Sequence, residues 1–332
     1  MPAIDDRFHP ARVPCRLARS DLARIILSVA LAAGTLAGAA SRLPAGETAS
    51  PETNLPAEII FAVRQPGAGG HWYENFGYYA FDPGEKVYGS QGRLCRLDLA
   101  SGRLAVLLED EAGAVRDPQV HYDGRKILFS MRRHPKDDYH IYEMMADGTN
   151  LKQLTFGSGI SDIDPIYLPN GQILFSASRE PKYCMCNRHI MCNLYTMDAD
   201  GANLQQIGHS TSHEGHAALL PDGRIIYDRW EYVDRNFGDA QGLWTVNPDG
   251  TSHVIYYGNN TGSPGAVLEA RPIPDTEMVL CNFSSCHDRP WGALAIVDRR
   301  KGVDGREPVL RTWPASAINL VNQTGGYDTY IG

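Results

Sequence analysis

One pattern recurs along the chain and leaves few folds open to it. Asp117-Pro118-Gln119-Val120-His121-Tyr122-Asp123-Gly124-Arg125-Lys126-Ile127-Leu128-Phe129-Ser130 is matched by the stretch from Asp164 to Ser176. It is matched again from Ala217 to Asp228, with His216 where the earlier copies have Asp117 and Asp164. The turn glycines Gly124, Gly171 and Gly223 are spaced by 47 and 52 residues. The second half of the unit repeats as well, in Ile141 to Asn150, Leu194 to Asn203 and Leu243 to Ser252. Asp-Gly and Asn-Gly supply the positive φ that two-residue hairpin turns need. The alternations Ile127/Phe129 and Ile173/Phe175 turn one strand face towards a neighbour.

Weaker copies flank these three. Glu58 to Val63 with Arg93 to Asp98 supplies two strands of a first unit, and Arg271 to Pro274 with Met278 to Cys281 and Ala293 to Asp298 supplies a later one. A period of about 50 with about four short strands per period is the signature of propeller blades. One blade cannot bury both its faces, so neighbours must pack around a central channel. The prediction is an all-β chain: a β-propeller of four-stranded antiparallel blades, about four to five of them. Propellers close with roughly 4–8 blades, and the stretch Gly325 to Gly332 offers no closing strand, so the ring is read as incomplete and truncated at the C-terminus, the alternative being a compact ring with a poor final blade. The 33 Gly and 21 Pro among 332 residues agree with a turn-rich fold, and no helix-period segment follows the N-terminus.

That N-terminus reads as an export signal. Arg12, Arg16, Arg19 and Arg24 precede an apolar run from Ile25 to Ala40, and Gly38-Ala39-Ala40 before Ser41 suits a signal peptidase. The expected organisation is a signal peptide over 1–40, a linker over 41–56 and the propeller domain over 57–332, with a periplasmic or otherwise exported location. An uncleaved membrane anchor is the alternative, although the run is short for a span of about 20 residues. The net charge of −8 comes with no basic stripe beyond the first 25 residues, which excludes a nucleic-acid footprint. A protein of the cell envelope is the expected partner, and the membrane is one only if the signal stays uncleaved.

The repeated Asp-Pro, the Asp/Asn-Gly turn, Ile-x-Phe-Ser and Ile/Leu-Tyr-x-Met-x-x-Asp-Gly-x-Asn resemble the propeller repeat of TolB, the periplasmic envelope protein. Arg224 to Asp234, Trp244 to Thr251 with Tyr256 to Asn260, and Glu269 to Pro274 are similar to the propeller in the middle of the hydrazine synthase alpha subunit of planctomycete-type bacteria. That resemblance implies a propeller next to a C-terminal region holding c-type haem through Cys-x-x-Cys-His. No Cys-x-x-Cys-His occurs in this sequence, so a haem site is not implied for it. Fold alone does not assign function.

The richest chemistry lies in an insert, Tyr183-Cys184-Met185-Cys186-Asn187-Arg188-His189-Ile190-Met191-Cys192, which has no counterpart in the other copies. Cys184, Cys186, His189 and Cys192 could form a tetrahedral zinc site. In an oxidising compartment the alternatives are disulfides, with Cys184, Cys186, Cys192, Cys281 and Cys286 as candidates, or redox-active thiols. His213 and His216 are two further metal candidates, read against simple use at the start of a blade. Arg229-Trp230-Glu231-Tyr232 suits a binding surface, the alternative being a Trp packed between blades beside an Arg–Glu pair. Asp117 and Asp164 read as turn and cap residues bonding nearby backbone amides. No nucleophile elbow, phosphate-cradling loop or supported carboxylate pair occurs, so no catalytic residue is assigned. The expected function is an exported binding or assembly scaffold. The alternative is a part of a periplasmic redox enzyme subunit that itself bears no haem.

Overall fold

The computed structural model describes residues 56–65, 89–184, 190–231, 241–258, 260–285 and 292–323. The predicted signal peptide, the linker up to Leu55 and the C-terminal tail lie outside the described residues, as do Cys186, His189, Tyr232 and Cys286. The chain divides into two compact units, Met1–Ile59 with Leu97–Leu104, and Ile60–Arg96 with Ala105–Gly332. From Ala105 onward everything belongs to the second unit.

The described residues form sheets that follow the repeat. Strands β1 (Glu58–Val63), β2 (Gly92–Asp98) and β3 (Leu104–Asp110) make a three-stranded sheet. Strands β4 (Ala114–Val120), β5 (Lys126–Arg132), β6 (His140–Met145) and β7 (Lys152–Gln153) make a four-stranded blade in sequence order. The next blade is β8 (Asp162–Tyr167), β9 (Ile173–Ala177), β10 (Asn193–Met197) and β11 (Gln205–Gln206). Then come β12 (His213–Leu219), β13 (Ile225–Trp230), β14 (Gln241–Val246) and β15 (Val254–Tyr257), followed by β16 (Ala266–Pro272), β17 (Met278–Ser284), β18 (Gly292–Asp298) and β19 (Val309–Trp313). A single parallel bridge, Gln241 to Ala266, joins these last two blades into one eight-stranded sheet. Among the described residues the sheets are not closed into a ring. No helix among the described residues is long and apolar enough to cross a membrane.

Local chemistry explains why the repeats adopt the same shape. Asp123, Asn170 and Asp222 each accept a hydrogen bond from the amide two residues on, at 2.8, 3.0 and 3.0 Å, which fixes the turn. The following Gly124, Gly171 and Gly223 take φ of 72°, 86° and 87° with open space where a side chain would be, so backbone conformation alone requires glycine. Phe129 faces Tyr142 across β5 and β6, and Phe175 faces Tyr195 across β9 and β10. Each pair stacks with ring centroids 6.1 Å apart. The apolar core lies mainly between blades: Leu128 and Ile141 pack with Tyr167, Ile173 and Phe175 of the next blade, and Leu174 and Leu194 pack with Ile225, Tyr227 and Val246 of the one after.

The first strands of successive blades, β4, β8, β12 and β16, lie side by side within the second unit. Each carries a β-bulge, between Arg116 and Gln119, Ile163 and Ile166, Gly215 and Ala218, and Leu268 and Arg271. At each bulge a non-glycine residue takes a left-handed φ: Asp117 at 54°, Asp164 at 53°, His216 at 49° and Glu269 at 55°. Such a conformation is uncommon for residues with a Cβ and is favoured most by Asp, Asn and His. Bulges re-aim side chains, and here the re-aimed residue is ionisable in every copy.

Candidate functional site

The four bulges gather charge. Arg116 is buried and places Nε 2.5 Å from Asp117 Oδ2 and Nη2 3.6 Å from Asp164 Oδ1. Asp117 Oδ2 also accepts the Asp164 amide at 3.2 Å. Asp117 therefore does bond a backbone amide, but on the neighbouring blade, and both aspartates sit in strands rather than turns. His216 Nε2 stands 3.9 Å from Asp164 Oδ2, and His216 Nδ1 stands 2.8 Å from Asp228 Oδ1.

His213 joins the same group because of the bulge. Strict alternation would send His213 and His216 to opposite faces of β12. The extra residue brings both rings to Asp228, which pairs with Gly215 across β12 and β13. His213 Nε2 is 3.5 Å from Asp228 Oδ2, and the two imidazole centroids are 6.3 Å apart. Gly215 is what makes room, since a Cβ there would lie 2.7 Å from His213 Nε2.

These neighbours set the protonation states. Burial alone would discharge His216, but Asp228 and Asp164 hold it protonated, with a pKa pushed up to about 10. Burial works against the charge on Asp228 too, and the His216 charge beside it draws its pKa down to about 2. Burial, then the charge on Asp117, push Asp164 up to about 6. Asp117 stays below the ordinary carboxylate value despite burial, because Arg116 pairs with it. Burial lowers His213 and keeps it neutral near pH 7. A buried group mixing neutral imidazole, imidazolium and carboxylates can exchange a proton or hold a cation, and perturbed groups of this kind gather at functional sites.

The described residues of the cysteine insert approach this cluster from the preceding blade. Cys184, Met191 and Cys192 are buried in an apolar group with Tyr139, Trp230 and the inner-strand residues Ala114, Ile163, Ala266 and Leu268. The Cys192 carbonyl accepts the Glu214 amide at 2.9 Å, one residue from His213. Burial raises the Cys192 thiol far above its ordinary pKa, so it is a poor nucleophile and a poor ligand as it stands. Cys95, Cys192 and Cys281 carry free, buried thiols. Cys281 lies in β17 with Sγ 3.7 Å from the Ala295 carbonyl, in the manner of a small core residue.

The predicted surface tetrapeptide is arranged for packing where it is described. Trp230 is 1% exposed, because the insert and the inner strands cover its ring. Arg229 is partly buried, pairs with Glu231, lies 3.4 Å from Glu214 Oε1 and sits 4.7 Å from the Trp244 ring centroid. Behind it, Asn193 Nδ2 donates to Glu214 Oε2 at 2.8 Å, and Lys182 reaches Asn193 and the Ser210 carbonyl.

Repeated four-stranded blades with bulged inner strands define a β-propeller repeat protein. In sequence the chain is similar to hydrazine synthase subunit alpha of Kuenenia stuttgartiensis, at 26% identity over 245 residues, 64% of this chain and 28% of the relative. The solved hydrazine synthase of Kuenenia stuttgartiensis shares the fold, with a TM-score of 0.60 and 20% identity over 74% of this chain and 38% of that one. TolB from Acinetobacter baumannii aligns with a TM-score of 0.47 and 16% identity, covering 70% of this chain and 52% of that one. No family model matches the chain. The chain thus spans well under two thirds of the length of the hydrazine synthase chains it matches.

Proposed function

We propose that the chain is an exported propeller module that acts by binding, as an assembly scaffold in the cell envelope. One observation carries this reading: four successive inner strands place an ionisable side chain at the same bulge, Asp117, Asp164, His216 and Glu269. Ser130 Oγ donates to Asp117 Oδ2 at 3.3 Å, the carboxylate oxygen that Arg116 already pairs with. Charge gathered along the inner strands by a blade framework suits recognition of a polar group better than covalent chemistry. The match to 28% of a protein named as a subunit supports a module working within a larger assembly.

Affinity purification of the tagged chain from the periplasmic fraction of the cell that makes it, followed by size-exclusion chromatography, tests this. A stoichiometric complex is expected. Recovery from the cytoplasm, or as a lone chain, would overturn the reading. A second reading, part of a periplasmic redox enzyme subunit, is favoured by the meeting of His213 and His216 at Asp228. Its test is redox titration of the purified complex, in which no electron uptake by this chain would exclude it.

A further inference from the structure

Three buried polar atoms converge near β12 without hydrogen-bond partners: Asp228 Oδ2, Asp164 Oδ2 and Ser176 Oγ. Protein interiors leave few such atoms, and a missing ion or water is a recurring reason for them. The donor set between them is specific. His213, His216 and Asp228 each offer one atom, and the three atoms lie within 4.8 Å of one another. The 3.5 Å from His213 Nε2 to Asp228 Oδ2 is close to the roughly 3.3 Å between ligands that bonds of about 2.0–2.1 Å impose at tetrahedral angles.

We infer that His213, His216 and Asp228 form a binding site for one divalent first-row transition ion, with a fourth coordination position left open. Two imidazoles and a carboxylate suit zinc or iron(II). Calcium and magnesium are disfavoured, because they take oxygen ligands in larger number or keep several waters. The ion replaces the proton shared between His216 and Asp228, and that proton leaves to solvent.

The surroundings fit the same ion. With Nδ1 of His216 beside Asp228, its Nε2 faces Asp164 Oδ2 at 3.9 Å, and a carboxylate behind a ligating imidazole orients it and raises its basicity. Asp164 is thus a positioning residue. His213 Nε2 packs directly against Gly215, and the position a Cβ would occupy there is 2.7 Å from that nitrogen and 3.5 Å from Ser176 Oγ. The Ser176 hydroxyl lies beside the same atoms and can bond a water on the fourth position. The site stands whichever partner the scaffold takes, so its failure would leave the scaffold reading intact.

Cobalt(II) titration of the metal-stripped full chain tests the site. About one equivalent should bind with the strong visible absorption of a four-coordinate ion, and zinc should displace it. Asp228→Asn and His213→Gln should abolish stoichiometric uptake, while Asp164→Asn should weaken it about 10- to 100-fold. Absence of uptake, a thiolate charge-transfer band, or unchanged uptake by Asp228→Asn would overturn the inference. Pulsed EPR of the copper-loaded wild-type chain needs no variant and counts coordinated imidazoles. Two are expected, and fewer would also overturn the inference.

Discussion

The cysteine insert and the bulged inner strands make opposite impressions before and after folding. The insert concentrates thiols and an imidazole in one loop, yet its described cysteines, Cys184 and Cys192, are buried among Tyr139, Trp230 and aliphatic groups. The bulges carry one ordinary-looking polar residue apiece, yet they assemble the buried charge of Arg116, Asp117, Asp164, His213, His216 and Asp228. The difference teaches that in a repeat protein a residue's repeat position outweighs the richness of its sequence neighbourhood. Three successive copies of one modest irregularity, laid side by side, make a site that no single copy contains.

Breaking the bulge side should have the largest effect. Arg116→Ala leaves the Asp117 and Asp164 carboxylates without their buried cation and should cost about 3–5 kcal/mol, read from the urea midpoint. A loss under about 1 kcal/mol would show that water already screens this cluster. Because Asp117 sits below its ordinary value of 3.8, its pairing contributes stability that is whole above that pH and lost as pH falls through the lowered value. In Arg116→Ala the acid unfolding limb should therefore move to higher pH.

On the insert side, Trp230→Ala should cost about 3–5 kcal/mol by removing the platform under Cys184, Met191 and Cys192. Limited proteolysis should then cut first within the insert, and cutting elsewhere would separate Trp230 from it. Gly215→Ala should cost about 1–3 kcal/mol through overpacking against His213, and cobalt uptake should fall more than stability does. Equal falls would mean that Gly215 serves packing alone. Cys192→Ala, at about 1 kcal/mol, is the smallest change and should leave cobalt uptake intact. Loss of uptake there would return the chemistry to the insert.

The framework was legible because it rests on local rules. The Ile173/Phe175 alternation falls in β9, the repeat copy that begins at Leu194 opens in β10, and the Asp-Gly turns behave as their side chains require. His213 and His216 read as metal candidates in the sequence, but their convergence on Asp228 was not legible, since two residues three apart on a regular strand face opposite ways. The available signal was subtler: Asp117, Asp164, His216 and Glu269 occupy one repeat position, and Asp and His tolerate the left-handed backbone. Trp230 reads in sequence as either a surface aromatic or a Trp packed between blades, because nothing local shows whether an insert from another blade covers it.

The lone parallel bridge from Gln241 to Ala266 has a consequence for how the molecule opens. Hydrogen bonding runs unbroken from β12 to β19 across two blades, whereas the β4–β7 and β8–β11 sheets each end at their own edges. Cooperative opening units follow contiguous structure. In native-state hydrogen exchange, amides of β13 and β17 should share one opening free energy, while those of β5 and β9 open separately. The strand bearing His213 and His216 then belongs to the largest cooperative unit among the described residues, so a ligand held there would slow exchange as far away as β18.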